Sequence, residues 1–349
     1  MSSPRAQLPL GFHLVGSVPL LSTDEVFHYI SRAAVDHVLR IPDGETGTRW
    51  NFVMWQQNML PERTRLSIFT PEMGAQLAGT VPEDEIRRMG AEMQNFETRY
   101  DEAAIESYKI FRKLKDEGII PQRVRFQVSL PTPLNVMVSL KPPYRSAVEP
   151  LYEAALLRSL ARIQAQVPEA ELAIQWDLAL DMGMIEGLPW LKPWFDGPVL
   201  DGVVERVVRL ANRVAIGVDV GFHLCYGDSG HKHFMEPVSM SAMVDVANAI
   251  LKNVERPVEW FHMPVPKARN DLEYFAPLRG LSMPQETMLY LGLVHANDND
   301  GTVNRIKAAE QAGFNGRFGV ATECGLGRTP VAELDSIFQI LKDVSDPVA

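Results

Sequence analysis

The chain has 349 residues and a net charge of -10, with 46% hydrophobic and 22% charged residues, which is the balance of an ordinary globular protein. Its acidity and its lack of any Lys/Arg cluster argue against nucleic acid and anionic membranes as partners. No apolar run approaches the roughly 18 residues that span a bilayer, the N-terminus lacks the apolar segment of a signal peptide, and two cysteines suit a reducing compartment, so we expect a cytoplasmic protein.

Short apolar, β-prone runs alternate with helical patterns along the chain. We predict eight strands, at 10–17, 38–42, 124–130, 172–177, 214–220 with an extension to 225, 258–262, 288–295 and 318–322. Ser22 and Glu25 form a capping box before the first helix, and the last helix is predicted from Pro330 to about Val344. This alternation predicts a (β/α)8 TIM barrel. The rival is a doubly wound open sheet, but no glycine-rich phosphate loop follows the first strand.

The stretch from about residue 52 to 118 is too long for a single βα unit. We predict a helical insertion after strand 2, made of one or two amphipathic, acid-rich helices, within a single barrel domain that covers 1–349. Methionine and phenylalanine positions in this insertion leave a homodimer open.

Unusual polar residues follow the carboxyl ends of seven of the eight predicted strands. In a barrel these ends meet at one mouth, where active sites are built. The residues concerned are Ser17, the segment 43–49, Asp177, His223, Cys225, His262, His295, Glu323 and Cys324.

The two cysteines predict a metal site. His223 and Cys225 are two residues apart, so on a strand they point to the same side, and Cys324 follows the last strand. One imidazole and two thiolates are three of the four ligands of a zinc site. Either cysteine alone would be interpreted as a small buried hydrophobe, but the joint pattern favours zinc.

Strand six offers two candidates for the fourth zinc ligand. Glu259 and His262 differ by an odd number of residues and therefore face opposite sides of the strand. His262 lies at the strand end, whereas Glu259 lies in mid-strand and faces the surrounding helices. We therefore predict His262 as the fourth ligand.

Other candidates have a structural alternative. His295 precedes a very polar loop, which favours a site role over that of a core histidine. Glu45 and Arg49 follow strand two and are predicted to bind substrate, the alternative being a simple loop ion pair. His231 and His233 resemble metal ligands in isolation, but their glycine- and lysine-flanked setting favours a mobile loop.

Six short motifs occur in order along the chain: Val15-Gly16-Ser17-Val18-Pro19, Gly44-Glu45, Ile174-Gln175-Trp176-Asp177, His223-Leu224-Cys225-Tyr226, Val294-His295 and Glu323-Cys324-Gly325-Leu326. Together they resemble motifs of the catalytic C-terminal barrel of cobalamin-independent methionine synthase, in the superfamily that also includes uroporphyrinogen decarboxylase. The likeness runs from strand one to strand eight and matches the insertion poorly.

The resemblance implies a methyltransferase of the 5-methyltetrahydropteroyltriglutamate–homocysteine type, which activates a small homocysteine-like thiol as a zinc thiolate. A free thiol has a pKa of about 8.5 and is mostly protonated at neutral pH, whereas a thiol bound to zinc is deprotonated. By position, the resemblance implies zinc ligation by His223, Cys225 and Cys324. It also implies that Ser17, Glu45 and Asp177 hold the amino-acid part of the thiol and that His295 protonates the leaving group.

The sequence departs from the family in two respects. The family uses a glutamate as its remaining zinc ligand, and this chain offers His262 at the matching strand end. The family also carries an additional N-terminal barrel that this sequence does not contain. The alkyl donor therefore stays open between a folate, a methyl-corrinoid protein and another methylated small molecule.

Three other functions compete with the transferase. A zinc lyase or hydrolase on the same barrel would form product without a thiol acceptor. A metal-free decarboxylase of the uroporphyrinogen decarboxylase type would leave the His-x-Cys pattern and the distant cysteine unexplained. A non-enzymatic binding protein would leave His295 without a use.

Overall fold

The computed structural model describes residues 8–68, 70–227 and 232–348. Eight parallel strands form a nearly closed barrel with helices between them, which confirms the predicted (β/α)8 TIM barrel. The strands are β1 Phe12–His13, β2 Arg40–Pro42, β3 Arg125–Pro131, β4 Leu172–Leu178, β5 Asp219–Leu224, β6 Trp260–Pro264, β7 Met288–Val294 and β8 Phe318–Thr322. Their order is β1-β8-β7-β6-β5-β4-β3-β2, and an isolated bridge between Ser17 and Gly44 links the ends of the sheet.

All eight predicted strands are present, but the fifth begins later than predicted. Residues 214–218 form turns after the preceding helix, with the backbone N–H of Val214 donating to Ala211 and that of Val218 to Ala215. The prediction from 214 was wrong because a short apolar run can form a turn as well as a strand, and here the middle of the run, Ile216, is exposed.

Thirteen α-helices lie within the described residues. They are α1 Thr23–Ala34, α2 Phe52–Met59, α3 Met73–Ala78, α4 Glu83–Met93, α5 Tyr100–Asp116, α6 Pro133–Met137, α7 Pro142–Gln166, α8 Leu180–Ile185, α9 Val199–Ala211, α10 Ser241–Asn253, α11 Leu272–Phe275, α12 Asn299–Gln311 and α13 Leu334–Asp343. In the part of the chain that is described, none of them is long and apolar enough to cross a membrane.

Both predicted helix starts can be compared with the structure. At α1 the Ser22 hydroxyl accepts from the Glu25 N–H at 3.2 Å, which is one half of a capping box. The Glu25 carboxylate accepts from the Leu21 N–H at 3.0 Å rather than from the Ser22 N–H. At the other end of the chain a 3₁₀ turn over Val331–Glu333 follows Pro330, and α13 begins only at Leu334.

Four helices lie between β2 and β3, rather than the one or two predicted. The last of them, α5, has the position of a barrel helix. Its Phe111 ring lies 5.4 Å from Phe27 on α1 and 5.4 Å from Phe126 on β3. The additional elements are therefore α2, α3 and α4, and the domain boundaries stay a prediction.

The side chains of each strand alternate between the barrel interior and the layer of helices outside it. A small apolar cluster fills the lower interior, and its members are Ala173, Trp260, Tyr290 and Ala321. Gly221 lies opposite Trp260, and a Cβ there would come within 2.0 Å of the indole ring. Glycine is therefore needed for Trp260 to fill the barrel, and the interior positions nearer the strands' carboxyl ends are left to polar residues.

Candidate active site

Strand register brings the predicted polar residues side by side at the barrel mouth. Asp177 pairs with His223 across β4 and β5, and His223 pairs with His262 across β5 and β6. Cys225 follows the end of β5, where its backbone N–H donates to the Leu178 carbonyl at 2.9 Å. The alternation expected of a strand therefore places His223 and Cys225 on one side.

His223, Cys225 and Cys324 form a group that could hold a metal ion, with potential ligand atoms all within 4.8 Å of one another. The two Sγ atoms are 3.7 Å apart, and Cys324 Sγ lies 3.7 Å from His223 Nε2. Ligands about 2.3 Å from a tetrahedral zinc ion would lie about 3.8 Å apart. The donor set and its spacing therefore fit zinc. We call these three residues the thiol–imidazole group.

Hydrogen-bond donors surround the two sulfurs. Cys225 is buried, and its sulfur accepts from the Gly227 N–H at 3.3 Å. The guanidinium of Arg328 approaches Cys324 Sγ at 3.7 Å. The hydrogen bond with Cys324, followed by burial, raises the pKa of the Cys225 thiol. Without a metal ion this thiol keeps its proton, and a metal cation would replace that proton.

His262 lies beside His223 but in the middle of β6, not at the strand end as predicted, because the strand continues to Pro264. It is not part of the thiol–imidazole group. Its Nδ1 lies 2.7 Å from Nδ1 of His223, and its Nε2 lies 2.9 Å from the Thr322 carbonyl oxygen. Burial lowers the pKa of His262 to about 4, so the ring is neutral at pH 7. The alternative, Glu259, accepts from the Val220 N–H at the opposite end of β5. The role of His262 as a fourth ligand stays a prediction.

Glu45 lies in a turn that few residues could form. Gly44 has φ 80° and Glu45 has φ 49°, and a Cβ on Gly44 would come within 2.6 Å of Val26. The Glu45 N–H donates to Asp43 Oδ1 at 2.9 Å, which holds the turn together. A non-glycine residue in the left-handed region costs energy, and such strain is concentrated at functional sites.

Glu45 and Asp177, which we call the carboxyl pair, are both buried at the mouth. Burial raises the pKa of Glu45 to about 8, and the nearby Asp43 adds to this rise. Burial, followed by the charge of Glu45, also raises the pKa of Asp177. Nε2 of Gln175 donates to Asp177 Oδ1 at 2.8 Å. A buried carboxyl group whose ionisation is opposed by a nearby acid, as Glu45 opposes that of Asp177, is stabilised in its charged form by a cation beside it.

Arg49 is close to Glu45 but forms its ion pair with Asp43. Its Nη1 and Nη2 donate to Asp43 Oδ1 and Oδ2 at 3.3 and 2.7 Å, and Ser107 Oγ also donates to Asp43 at 2.6 Å. The ion pair considered as the alternative joined Arg49 to Glu45, whereas in the structure Arg49 pairs with Asp43. Substrate binding by Arg49 stays a prediction.

Ser17 lies at the mouth as predicted. It is buried, and its Oγ accepts from the Gly327 N–H at 3.1 Å. A Cβ on Gly325 would come within 2.5 Å of that Oγ, so the loop after β8 passes directly over this serine. The structure shows a link between loops, and its substrate contact stays a prediction.

His295 lines a groove of about 380 Å³ that reaches Cys324, and Lys267 and Glu323 also line this groove. The histidine Nε2 lies 3.1 Å from the Val265 carbonyl oxygen, and Nδ1 lies 3.8 Å from Glu323 Oε2. Burial, with the charge of Arg305, lowers the pKa of His295 to about 3. The ring is neutral in this state, so it has to gain a proton before it can act as a general acid.

Of the two loop histidines, His231 lies outside the described residues. His233 is buried between two carboxylates, with Nδ1 3.0 Å from Glu236 and Nε2 2.9 Å from Glu323. Burial lowers its pKa, but the hydrogen bonds to Glu323 and Glu236 outweigh burial and raise it to about 9. His233 is therefore a charged residue that ties its segment to the loop after β8, and it is not part of the thiol–imidazole group.

Sequence reasoning assigned no role to two polar residues inside the barrel. The Gln175 side-chain carbonyl accepts from Nε2 of His13 at 2.7 Å, which orients its NH₂ group toward Asp177. Gln175 could have been found from the sequence because it lies two residues before Asp177 and shares its face.

No protein-family model matches the sequence, and no curated protein matches it. Among solved structures, a B12-independent methionine synthase from Shewanella sp. W3-18-1 with selenomethionine is similar at a TM-score of 0.49 and 14% identity, over 68% of this chain and 64% of that one. A protein from Listeria monocytogenes, provisionally named a vitamin B12-independent methionine synthase, is similar at a TM-score of 0.51 and 13% identity. That match covers 98% of this chain and 100% of the Listeria chain. At 13% identity it shows a shared fold.

Proposed function

We propose that the protein is a zinc-dependent transferase that moves a methyl or other alkyl group onto the sulfur of a small, homocysteine-like amino-acid thiol. The observation that carries this proposal is the pairing of two unlike sites at one barrel mouth. The thiol–imidazole group suits a metal ion that binds sulfur, and the carboxyl pair suits an ammonium group. The barrel of the Listeria structure supports the fold on which this proposal builds.

The thiol end of the substrate belongs beside His223, Cys225 and Cys324. These residues would hold zinc, which supplies Lewis acidity that lowers the pKa of a nearby thiol when it is bound. Two thiolates and one neutral imidazole cancel the charge of a divalent cation, so sulfur at this position keeps its nucleophilicity. The Gly227 N–H and Arg328 stabilise negative charge on the protein's own sulfurs.

The amino end of the substrate belongs between Glu45 and Asp177. An arriving ammonium group favours the ionised form of both acids, whose pKa values are raised by burial in its absence. Gln175 keeps Asp177 in place while this charge develops. The carboxyl pair therefore selects a thiol that carries an amine at a fixed distance from its sulfur.

The alkyl donor belongs in the groove beside Cys324 and His295. The substrate sulfur supplies the electron pair of the new S–C bond, and the broken bond leaves its pair on the donor. The donor then takes a proton, which His295 delivers after gaining it from solvent, while the thiol proton leaves the site. An anionic donor beside His295 raises the low pKa of this histidine and so favours the protonated ring.

The test begins with the metal content of wild type and of Cys225→Ser, prepared without chelators. We expect about one zinc per chain in wild type and a loss of most of it in the variant. Zinc-loaded protein should then bind homocysteine in calorimetry and accelerate its methylation by methyl iodide, a simple donor that needs no carrier.

Three outcomes contradict the proposal. Wild type without zinc would exclude the metal-assisted route. Zinc without homocysteine binding would exclude the proposed substrate class. Product formation from a candidate substrate without a thiol acceptor would point to the lyase or hydrolase alternative.

A further inference from the structure

His262 connects the two strands that carry the metal-binding residues. Its Nδ1 faces Nδ1 of His223 at 2.7 Å, while its Nε2 faces the Thr322 carbonyl oxygen at 2.9 Å. Thr322 ends β8 and lies two residues before Cys324. His262 and His223 are both buried, with 0% and 3% of their surface exposed, so water does not replace these contacts.

The hydrogen bonds determine which ring nitrogen carries the proton. A carbonyl oxygen can only accept, so Nε2 of His262 must donate to Thr322. The neutral ring then has a lone pair on Nδ1, which accepts the proton that His223 carries on its own Nδ1. His223 is left with a lone pair on Nε2, which is the nitrogen that lies 3.7 Å from Cys324 Sγ.

We propose that His262 is a positioning residue and not a metal ligand: it orients His223 Nε2 toward the two sulfurs and leaves one metal position for the substrate thiol. This inference rests on the proposed function, and it replaces the expectation from the sequence that His262 is the fourth ligand. Ligation by His262 would break its bond to either His223 or Thr322 and would leave a buried polar group without a partner. Three protein ligands with one open position are also the usual arrangement of a catalytic zinc site.

The contact with Thr322 extends this role to the cysteine side. Because His262 bonds the backbone of β8 just before Cys324, one ring sets the spacing between His223 on β5 and the loop after β8. A residue that holds a ligand histidine through its second nitrogen tunes metal affinity without touching the metal. His262 therefore positions both His223 and the loop that carries Cys324.

The first experiment uses the metal-free protein, so it does not depend on zinc. Long-range ¹H–¹⁵N NMR of the histidine rings reports which nitrogen carries the proton. We expect His223 protonated on Nδ1 and His262 protonated on Nε2. Observation of the opposite tautomer at His223 would overturn the proposal.

Two nearly isosteric variants isolate the hydrogen bond. His262→Asn keeps an acceptor oxygen near the place of Nδ1, whereas His262→Leu has the same shape and no acceptor; both lose the donor to Thr322. We expect zinc affinity to fall about 10- to 100-fold in His262→Leu and clearly less in His262→Asn. Equal losses in both folded variants would overturn the positioning role. If His262→Leu does not fold, the tautomer of His223 is measured in His262→Asn instead. Loss of the proton from Nδ1 of His223 in that variant would also overturn the positioning role.

X-ray absorption of the zinc-loaded protein counts the ligands directly. We expect two sulfurs and one imidazole in wild type, unchanged in His262→Asn. Two imidazoles in wild type and one in the variant would make His262 a ligand and overturn the proposal. A wild-type protein that binds no zinc would instead overturn the proposed function and with it the metal-directed role, while the tautomer measurement would still test the hydrogen bonds.

Discussion

The thiol–imidazole group and the carboxyl pair share one barrel mouth but are built differently. His223 is placed by strand register and by hydrogen bonds that continue into the barrel wall. Glu45 is placed by a loop in which Glu45 itself and two glycines, Gly44 and Gly47, lie in the left-handed region. The first site depends on the barrel itself, and the second depends on one strained turn.

The two sites also differ in how they tolerate burial. The sulfur site can neutralise itself by exchanging thiol protons for a metal cation. The carboxyl pair has the Asp43–Arg49 ion pair beside it, yet the pKa of Glu45 still rises to about 8. We therefore propose that a cationic group of the substrate completes the carboxyl pair. Changes on the two sides should therefore affect different steps.

The largest effect is expected on the sulfur side. Cys324→Ser should lose most of the zinc and reduce turnover by about 1,000-fold or more, since a hydroxyl is a poor replacement for a thiolate ligand. Metal analysis after dialysis and turnover at saturating thiol measure this. Thermal unfolding of the metal-free forms serves as the folding control. Full zinc occupancy in the variant would remove Cys324 from the metal site.

The next effect separates turnover from metal binding. His295→Ala should keep its zinc and lower kcat by about 100- to 10,000-fold, the range expected for loss of a general acid. His37→Ala is a matched control, because His37 is a partly buried histidine that precedes β2 at the opposite end of the barrel. An unchanged kcat in His295→Ala would show that the assigned acid role is wrong.

On the carboxylate side, Asp177→Asn should raise KM for the amino thiol by about 10- to 100-fold at unchanged zinc content, because a charge-assisted contact is lost. The control is Asp219→Asn at the amino end of β5, where Asp219 lies 3.2 Å from Arg125. That variant should lose stability but keep KM. A thiol without an amino group should show the same KM in wild type and Asp177→Asn, and a difference would argue against ammonium binding.

The last effect is on stability rather than on catalysis, and it concerns the pH dependence of unfolding without substrate. The folded-state pKa of Glu45, about 8, is above its ordinary value of 4.5. The contribution of protonated Glu45 to the stability of the folded protein is therefore complete below pH 4.5 and is lost as the pH rises to 8. Across that window Glu45 lowers the free energy of unfolding as the pH rises, by at most about 1.4 kcal/mol per pH unit. Thermal unfolding at pH 5 to 8 should show this slope reduced in Glu45→Gln. Equal slopes in both proteins would mean that Glu45 is ionised in the folded state.

Much of the fold and of the sulfur site could be predicted from local pattern. The alternation of apolar runs with helical periodicity was sufficient for the TIM barrel, and the spacing of His223 and Cys225 placed both on one side of β5. Cys324 could be added because carboxyl ends of parallel strands meet at one mouth. These predictions succeed because they depend on the two-residue period of a strand and on the alternation of strands and helices, and both can be recognised from short segments of sequence.

The partners of individual side chains depended on tertiary contacts. The sequence placed His262 on the inward face of strand six but did not reveal that its two ring nitrogens form hydrogen bonds with His223 and Thr322. The sequence placed Arg49 near Glu45 but did not reveal that the Arg49 guanidinium forms its ion pair with Asp43. A side chain's role depends on distances of a few tenths of an ångström between residues far apart in the chain, and only packing of the complete barrel sets those distances.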